Sequence, residues 1–297
     1  MSNRLVSYIS NMQGKIRFAP SPTGYLHEGH LLSALYVWAA ARKWDLKIHL
    51  RIEDHDQSRA RPAYIESIYE DLDWLGFHYD SRSIQSERGE YYEKALAKLQ
   101  SQNFVYPCYC SRKQLEAENP RSETGEIIYQ GKCRCLDESP FIPHNLRFKV
   151  ADKVISWTDL RLGEFHEKPK EQCGDFPIRD RDNQWTYQFA VCVDDIEEGI
   201  THIVRGEDIR NSTARQILLM ETLGRTTPPI YLHHGLIVDK SGRKLSKREH
   251  DFSLRQSKEL GATPEQLFGE VCFKAGLQQT PDSLSLKGAL SLIVSYL

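Results

Sequence analysis

Apolar positions alternate with polar ones in some stretches of the first hundred residues and recur every three or four positions in others. The predicted elements are strands at 16–19 and 46–52, a Pro/Gly turn at 20–24, and helices at 29–42, 62–75 and 88–100. In the first helix, Leu31, Leu35 and Trp38 share one apolar face. Strands that alternate with helices in this order imply a parallel sheet.

The pattern changes after position 104, where cysteines, prolines and glycines recur. Short strands are predicted at 146–150 and 154–157, strand-like runs at 185–193, 200–205 and 236–238, and helices at 212–223 and 264–275. We interpret the middle of the chain as an insertion that divides one α/β domain into two halves. The expected divisions are a first half at 13–104, an insertion at 105–184, a second half at 185–250 and a short helical tail at 251–297.

Composition excludes some classes of protein. The chain is 40% hydrophobic and 27% charged, which is ordinary for a globular protein with a core. No window approaches the roughly 18 apolar residues of a membrane span, and the first dozen residues lack the apolar run of a secretory signal. We therefore expect a cytoplasmic protein, a monomer, with no membrane partner. The net charge of −2 gives no overall attraction to RNA, so any RNA contact must come from a local basic patch.

The chain contains seven cysteines, an odd number that argues against a disulfide framework. Four are clustered and three are scattered, namely Cys108, Cys110, Cys133 and Cys135 in the cluster, and Cys173, Cys192 and Cys272 elsewhere. The scattered cysteines are expected to pack in the core, with Cys192 in an apolar strand. His55, His233 and His234 are expected to be structural or surface residues and not metal ligands.

Residues 17–30, RFAPSPTGYLHEGH, lead from a strand through a turn into a helix that begins near His27, Gly29 and His30. Unpaired N–H groups and the positive dipole end favour phosphate at such a helix start. Gly29 lets a ligand approach the backbone closely, and two imidazoles can donate hydrogen bonds to phosphate oxygens. By itself, HxGH also fits a loop with two surface histidines, but the strand–turn–helix setting favours a phosphate site.

A second motif, KLSKR, occupies residues 244–248 and follows VDKSGR. A flexible loop that carries Lys244 and Lys247 can close over a polyphosphate and stabilise its charge. A basic loop alone is usually a solvated surface. The KLSKR motif is informative because HxGH occurs more than two hundred positions earlier in the same chain.

This pair of motifs resembles the class I aminoacyl-tRNA synthetases. Five segments in order resemble their glutamyl branch: RFAPSPTGYLHEGH, IEDHD, YQFAVCVDD, HIVRGEDI and KLSKR. The resemblance covers about 15–253 and implies a Rossmann-like α/β class I catalytic domain with a zinc-bearing insertion and a short helical tail. The 47 residues after position 250 are too few for the large anticodon-binding domain of full-length members. The chain is thus similar to the short glutamyl-Q tRNA(Asp) synthetases, which attach glutamate to the queuosine base of tRNA(Asp).

The resemblance assigns a role to each matching position. It implies that glutamate is bound by Arg17, Phe18, Ala19, Pro20, Ser21, Glu53, Tyr187 and Arg205, and ATP by His27, Gly29, His30, Lys244 and Lys247. The chemistry agrees, because Arg17 and Arg205 suit the two carboxylates of glutamate and Glu53 suits its ammonium. Any one of these residues alone would also fit an ordinary ion pair at a strand end.

The implied reaction is that of a ligase. The α-carboxylate of L-glutamate attacks the α-phosphorus of ATP, pyrophosphate leaves, and a hydroxyl of the RNA then attacks the glutamyl-adenylate. His27, His30 and Lys247 are the expected catalytic residues, stabilising charge, and Mg²⁺ is expected with the ATP. Three alternatives remain: a truncated synthetase that charges a tRNA 3′ end, a small-molecule nucleotidyltransferase, and a non-catalytic RNA-binding paralogue. The last would be expected to lose motif residues, which are intact here.

The clustered cysteines suggest a zinc site. Three thiolates, from Cys108, Cys110 and Cys133, need one more donor to complete a tetrahedron. Members of the short family are similar, with a tyrosine four residues before the last cysteine, which corresponds to Tyr129. Cys135 is the alternative fourth ligand, but the conserved spacing to Cys133 favours Tyr129. The other possibility is that no metal binds; a structural zinc would suit an insertion too small to build its own core.

Overall fold

The fold is that of a computed structural model, which describes residues 13–139, 141–237 and 253–297. The strands are β1 Lys15–Phe18, β2 Lys47–Ile52, β3 Ser81–Ile84, β4 Val105–Cys108, β5 Asn145–Phe148, β6 Ile155–Asp159, β7 Gly163–Glu167, β8 Pro177–Arg179, β9 His202–Gly206 and β10 Ile230–His234. The α-helices are α1 Glu28–Trp44, α2 Pro62–Trp74, α3 Gly89–Ser101, α4 Arg112–Glu118, α5 Pro169–Gln172, α6 Tyr187–Glu197, α7 Thr213–Thr222, α8 Leu254–Glu259, α9 Pro264–Lys274 and α10 Leu286–Val294. Short 3-10 helices lie at Gln85–Glu87 and Glu207–Ser212.

Seven strands form one sheet in the order β3-β2-β1-β9-β10-β6-β7. Every neighbouring pair in it is parallel except the β6–β7 hairpin. The first and second halves of the chain meet where Ile16 of β1 faces Ile48 of β2 on one side and His202 of β9 on the other. This arrangement confirms the predicted parallel α/β sheet.

The sheet is covered on both faces. Neighbouring residues of a strand point to opposite faces, and in β9 and β10 they belong to different hydrophobic clusters. Val204 and Leu232 join a cluster that contains α1 and the tail helices α9 and α10, whereas Ile203 and Tyr231 join one that contains α6 and α7. The sheet is therefore the middle of three layers, as expected for parallel strands.

The segment 105–184 does not form a single separate unit. Strands β4, β5 and β8 form a small antiparallel sheet of their own. Strands β6 and β7, from the same segment, instead extend the main sheet, where Asp159 of β6 faces Tyr231 of β10. The chain thus leaves the main sheet, returns to it for one hairpin, and leaves it again before α6.

Two local predictions were wrong. Residues 185–193 were predicted as a strand, but Cys192 lies in helix α6, whose residues from Phe189 to Asp195 are all buried. A helix buried on all sides carries an apolar run without the 3.6-residue periodicity, so the run was mistaken for a strand. A strand was also predicted at 236–238; Leu236 and Ile237 follow strand β10 and are not in a strand, and Val238 lies outside the described residues.

The helical tail was predicted correctly. Helices α8, α9 and α10 follow one another, and α9 and α10 pack against α1, so the tail is part of the main body. Lys274 of α9 also pairs with Glu28 in the first turn of α1, at 2.8 Å. No helix among the described residues is long and apolar enough to cross a membrane.

Candidate active site and metal centre

A cavity of about 750 Å³ opens at the carboxyl ends of β1, β9 and β10. Ligands of open α/β sheets bind at this edge. The cavity brings together eleven of the predicted site residues, Arg17, Phe18, Ala19, Pro20, Ser21, His27, Gly29, His30, Glu53, Tyr187 and Arg205. Their individual roles stay predictions. Of the residues predicted to bind glutamate or ATP, the other two, Lys244 and Lys247, lie outside the described residues.

Helix α1 begins in the cavity with a reciprocal cap made by two histidines. His27 Nδ1 accepts a hydrogen bond from the backbone N–H of Gly29, at 3.1 Å, and His30 Nδ1 accepts one from the N–H of His27, at 3.2 Å. In a neutral imidazole whose Nδ1 is an acceptor, the proton is on Nε2. The cap therefore places the proton of each neutral ring on Nε2, so that both rings are Nε2–H donors. The two ring centroids are 4.0 Å apart. A Cβ at Gly29 would lie 3.0 Å from the His27 ring, so a larger residue there would crowd this cap.

Arg205, near the end of β9, is a buried cation whose three hydrogen bonds to described residues all go to groups without a negative charge. Its guanidinium donates three hydrogen bonds, to His233 Nε2 at 3.0 Å, Gln216 Oε1 at 2.7 Å and Thr213 Oγ1 at 2.8 Å. Among the described residues, no carboxylate forms an ion pair with it, although it is only 5% exposed. A guanidinium has five N–H donors, so two remain on Arg205. A carboxylate accepts two hydrogen bonds when it binds a guanidinium in bidentate geometry.

Arg17 approaches the same cavity from β1. Its Nε donates to Asp195 Oδ1 at 3.2 Å, and the same oxygen accepts a second hydrogen bond from Arg51, at 2.6 Å. Burial would raise the pKa of Asp195, but the attraction of Arg17 and Arg51 outweighs burial and lowers it. Asp195 is therefore an ionised group that fixes the guanidinium of Arg17.

Glu53 completes the charged wall of the cavity and is 5% exposed. Its Oε1 has no hydrogen-bond partner among the described residues and lies 3.5 Å from Arg51 Nη1. Burial raises the pKa of this carboxyl group, against the opposing attraction of Arg51 and Arg17. A buried carboxylate oxygen that lacks a hydrogen-bond donor suits an ammonium ligand.

Sequence reasoning missed several residues that line the cavity. They are Thr23, Leu32, Ser33, Val37, Val204, Gly206, Asp208, Ile209, His234, Leu236 and Ile237. Asp208 and Ile209 come soon after the end of β9, and Leu236 and Ile237 come soon after the end of β10. Ligands bind at the carboxyl ends of parallel strands, so the predicted parallel sheet already indicates these positions. His234 is buried, and burial lowers its pKa to about 4, so its ring is neutral at pH 7.

The side chains of Cys108, Cys110 and Cys133 converge beside the small sheet, at the end of β4, with their sulfurs within 4.8 Å of one another. Cys110 Sγ and Cys133 Sγ are 3.6 Å apart. Tyr129 Oη lies 3.5 Å from Cys108 Sγ and 3.6 Å from Cys110 Sγ, and it accepts a hydrogen bond from the Cys133 N–H at 3.0 Å. Cys135 is exposed and outside this group.

These distances fit a tetrahedral zinc ion. Zinc–sulfur bonds of about 2.3 Å and a zinc–oxygen bond of about 2.0 Å imply sulfurs about 3.8 Å apart and an oxygen about 3.5 Å from each sulfur. The three thiols could therefore hold zinc, and the phenol oxygen of Tyr129 is at the distance of a fourth donor. The Arg147 guanidinium lies 4.0 Å from the centre of the Tyr129 ring and packs on its face.

A close backbone contact positions Tyr129. Gly174 has a φ of +61°, and a Cβ there would lie 2.1 Å from the Tyr129 carbonyl oxygen. The Asp175 N–H donates to the same carbonyl, at 3.3 Å. The chain after α5 is thus pressed against Tyr129, and only glycine permits both the close approach and the left-handed backbone.

Comparison with known proteins decides the family. The family model for the catalytic domain of class I tRNA synthetases (E and Q) matches residues 14–284. The chain belongs to the class I tRNA synthetase family. It is therefore a ligase of the aminoacyl-tRNA synthetase class.

The class I synthetase relatives differ in how much of their length this chain matches. The chain is 39% identical to glutamyl-Q tRNA(Asp) synthetase of Symbiobacterium thermophilum, over 90% of this chain and 88% of that protein. It is also 39% identical to glutamate–tRNA ligase of Aquifex aeolicus, over 87% of this chain but 56% of that protein. A solved structure, a glutamate tRNA ligase from Elizabethkingia meningosepticum in complex with its amino acid, is similar with a TM-score of 0.76 and 27% identity, over 94% of this chain and 64% of that one.

Proposed function

We propose that this class I synthetase activates L-glutamate with ATP and transfers the glutamyl group to queuosine in the anticodon loop of tRNA(Asp). The observation that carries the first half is Arg205, a buried guanidinium with two donors left and no anionic partner among the described residues. Buried charges are normally paired, because an isolated charge is costly to remove from water. A carboxylate of the substrate provides that pair.

Three charged groups around one cavity match the three charges of glutamate. Arg205 and Arg17 bind the two carboxylates, and Glu53 binds the ammonium. Tyr187 and the segment from Phe18 to Ser21 shape the pocket. This assignment agrees with the names of the matched relatives, which are glutamyl-Q tRNA(Asp) synthetases and glutamate–tRNA ligases.

The catalytic step depends on positioning and electrostatics. The substrate α-carboxylate attacks the α-phosphorus of ATP, and pyrophosphate leaves. The Nε2–H groups of His27 and His30 donate to phosphate oxygens as charge builds on them, with Lys247 as the proposed cation of the KLSKR loop. Mg²⁺, bound with the ATP, neutralises phosphate charge.

Zinc has a structural role in this proposal. One ion is held by Cys108, Cys110, Cys133 and Tyr129, and it ties strand β4 to the segment that follows α4. The group lies beside the small sheet and does not line the cavity. It therefore stabilises the fold of this segment and takes no part in the reaction.

The acceptor is the part of the proposal that rests most on relatives. The glutamyl-Q relatives are matched over 78–90% of their own length, and the glutamate–tRNA ligases over 31–56%. An unstacked base in an anticodon loop can be held by a pocket, and the cyclopentene diol of queuosine can replace the terminal ribose diol. Phosphate contacts would come from local basic residues such as Lys240, Arg243 and Arg248, which lie outside the described residues. Cytoplasmic location and the monomeric state stay predictions.

Pyrophosphate exchange tests the activation step. Purified protein free of RNA should exchange labelled pyrophosphate into ATP when glutamate is present, and far less with aspartate or glutamine. The expected result is exchange that saturates with glutamate. No exchange at any glutamate concentration would overturn the proposal.

Acidification should weaken glutamate binding through Glu53. Because burial raises the pKa of Glu53, its ionised form, which the ammonium needs, is lost at a higher pH than for an ordinary glutamate. The KM for glutamate in the exchange assay should therefore rise as the pH falls, starting at a pH above the range in which the substrate's own side chain titrates, near about 4.3. The variant Glu53→Gln should have a KM raised by about 10- to 100-fold that hardly changes with pH above that range. Identical pH profiles in the variant and the wild type would contradict the role of Glu53.

A further inference from the structure

A buried chain of hydrogen bonds runs from Arg205 on β9 across β10 to β6. Arg205 Nε lies 3.0 Å from His233 Nε2, and His233 Nδ1 lies 2.7 Å from Asp159 Oδ2. The three residues belong to neighbouring strands, β9, β10 and β6. Both His233 and Asp159 are almost fully buried, at 0% and 1% exposure, and neither lines the cavity.

The hydrogen-bond directions along this chain are fixed. Arginine can only donate, so His233 Nε2 must be unprotonated to accept from Arg205. The ring proton is then on Nδ1, which donates to Asp159. Burial lowers the pKa of His233, although Asp159 opposes the shift, so the ring is neutral at pH 7.

Asp159 is itself held rigidly. Its Oδ1 accepts hydrogen bonds from the N–H groups of Arg161 and Leu162, both at 2.9 Å, and its Oδ2 accepts one from the N–H of His233, at 3.0 Å. Burial would raise the pKa of this carboxyl group, but these hydrogen bonds and that of the His233 ring outweigh burial and lower it. An ionised acceptor of this kind selects one tautomer and one orientation of the imidazole.

We propose that His233 and Asp159 are positioning residues that fix the Arg205 guanidinium for a substrate carboxylate. Asp159 sets the tautomer of His233, and the lone pair of His233 Nε2 sets the rotation of the guanidinium plane. The two donors that remain on Arg205 then face the cavity in one fixed direction. This inference rests on the proposed function, because it presupposes that Arg205 binds glutamate.

Asp159→Asn tests the proposal with little change in shape. The asparagine amide N–H donates to His233 Nδ1, so the ring proton moves to Nε2. The Nε2–H of His233 and the Nε–H of Arg205 are then two donors that face each other. The KM for glutamate in pyrophosphate exchange should rise by about 10- to 100-fold, while the KM for ATP stays within about twofold. A purely structural role would lower the melting temperature and the amount of active protein and leave the KM for glutamate unchanged.

Two substitutions of His233 give an independent test. His233→Gln keeps one donor and one acceptor and should retain most of the glutamate affinity, whereas His233→Leu keeps neither and should lose about as much as Asp159→Asn. His202→Gln is the matched control, because His202 lies on neighbouring β9, stacks on Trp44 and does not line the cavity. Its KM for glutamate should equal that of the wild type.

The outcomes separate this inference from the proposed function. If the wild type shows glutamate-dependent exchange but Asp159→Asn and His233→Leu change the KM for glutamate less than twofold, the positioning role is wrong and the proposed function stands. If the wild type shows no exchange, the proposed function fails. Calorimetric titration of the folded protein with glutamate measures binding directly. It allows the glutamate affinities to be compared even for a variant that binds glutamate but exchanges pyrophosphate slowly.

Discussion

Replacing Arg205 with methionine should reduce kcat/KM for glutamate in pyrophosphate exchange by about 100-fold or more. The substitution keeps most of the apolar stem and removes the buried guanidinium that we propose binds a substrate carboxylate. Loss of one partner of a buried, hydrogen-bonded charge pair costs about 3–5 kcal/mol, and each 1.4 kcal/mol is about tenfold. The KM for ATP should change little.

Two further variants show whether the effect belongs to the site. Arg205→Lys keeps the charge but cannot donate to His233, Gln216 and Thr213 together, so it should also lose at least about tenfold. Arg210→Met removes an arginine that pairs with Glu167 and does not line the cavity, and it should stay near wild type. Wild-type glutamate kinetics in Arg205→Met would show that this residue does not bind the substrate.

Removal of zinc should loosen the segment around the converging cysteines. Cys108→Ser and Cys133→Ser each take one thiolate from the proposed site, and structural zinc contributes about 10–16 kcal/mol in small zinc-binding peptides. Among the described residues, the separate hydrophobic cluster around the site has only five buried members. Both variants should lose the metal, measured as zinc per chain by atomic absorption, and should be cut rapidly by protease between positions 105 and 150.

The fourth zinc ligand is tested by a matched pair. Cys135→Ser should keep one zinc per chain, because Cys135 is exposed and outside the group of converging thiols. Tyr129→Phe should bind zinc more weakly, because it loses the oxygen that lies 3.5 Å and 3.6 Å from two of the sulfurs. If Cys135→Ser releases the metal and Tyr129→Phe does not, Cys135 is the ligand.

The parts of the fold that sequence predicted well are those with a strong local signal. Helix α1 is long, begins at a histidine cap and contains a run of alanines, which favour helix, and its predicted limits, 29–42, differ by only one or two residues from Glu28–Trp44. Helix α6 carried no such signal. Its apolar residues surround the helix on all sides, so no periodicity distinguished it from a buried strand.

The parts that sequence could not predict depend on partners far along the chain. His49 and Arg51 look like the polar face of an alternating strand, yet both are buried. Arg51 is paired with Asp195 and Glu198 of the second half of the chain, and His49 with Ser81 and Ser83 of β3. Charges can be buried when partners satisfy them, and a single strand does not show which partners tertiary structure will bring.

The residues of the candidate site also fall into two groups, those that the sequence could predict and those that it could not. The motif residues of the cavity could be found from sequence, because they follow strand ends and match a known family pattern. The supporting residues could not. Asp159 lies in a hairpin that looked like part of the insertion, and His233 looked like an isolated histidine, but β10 brings the two within 2.7 Å.

Transfer of glutamate to defined RNAs tests the central claim most directly. The purified protein would be given ATP, radioactive glutamate and one of three RNAs: tRNA(Asp) with queuosine, the same tRNA with guanosine in its place, and tRNA(Glu). We expect acid-precipitable label on the queuosine-containing tRNA(Asp) alone. Robust charging of tRNA(Glu), or labelling of tRNA(Asp) that does not depend on queuosine, would contradict the proposal and identify the protein as a synthetase that charges a tRNA 3′ end.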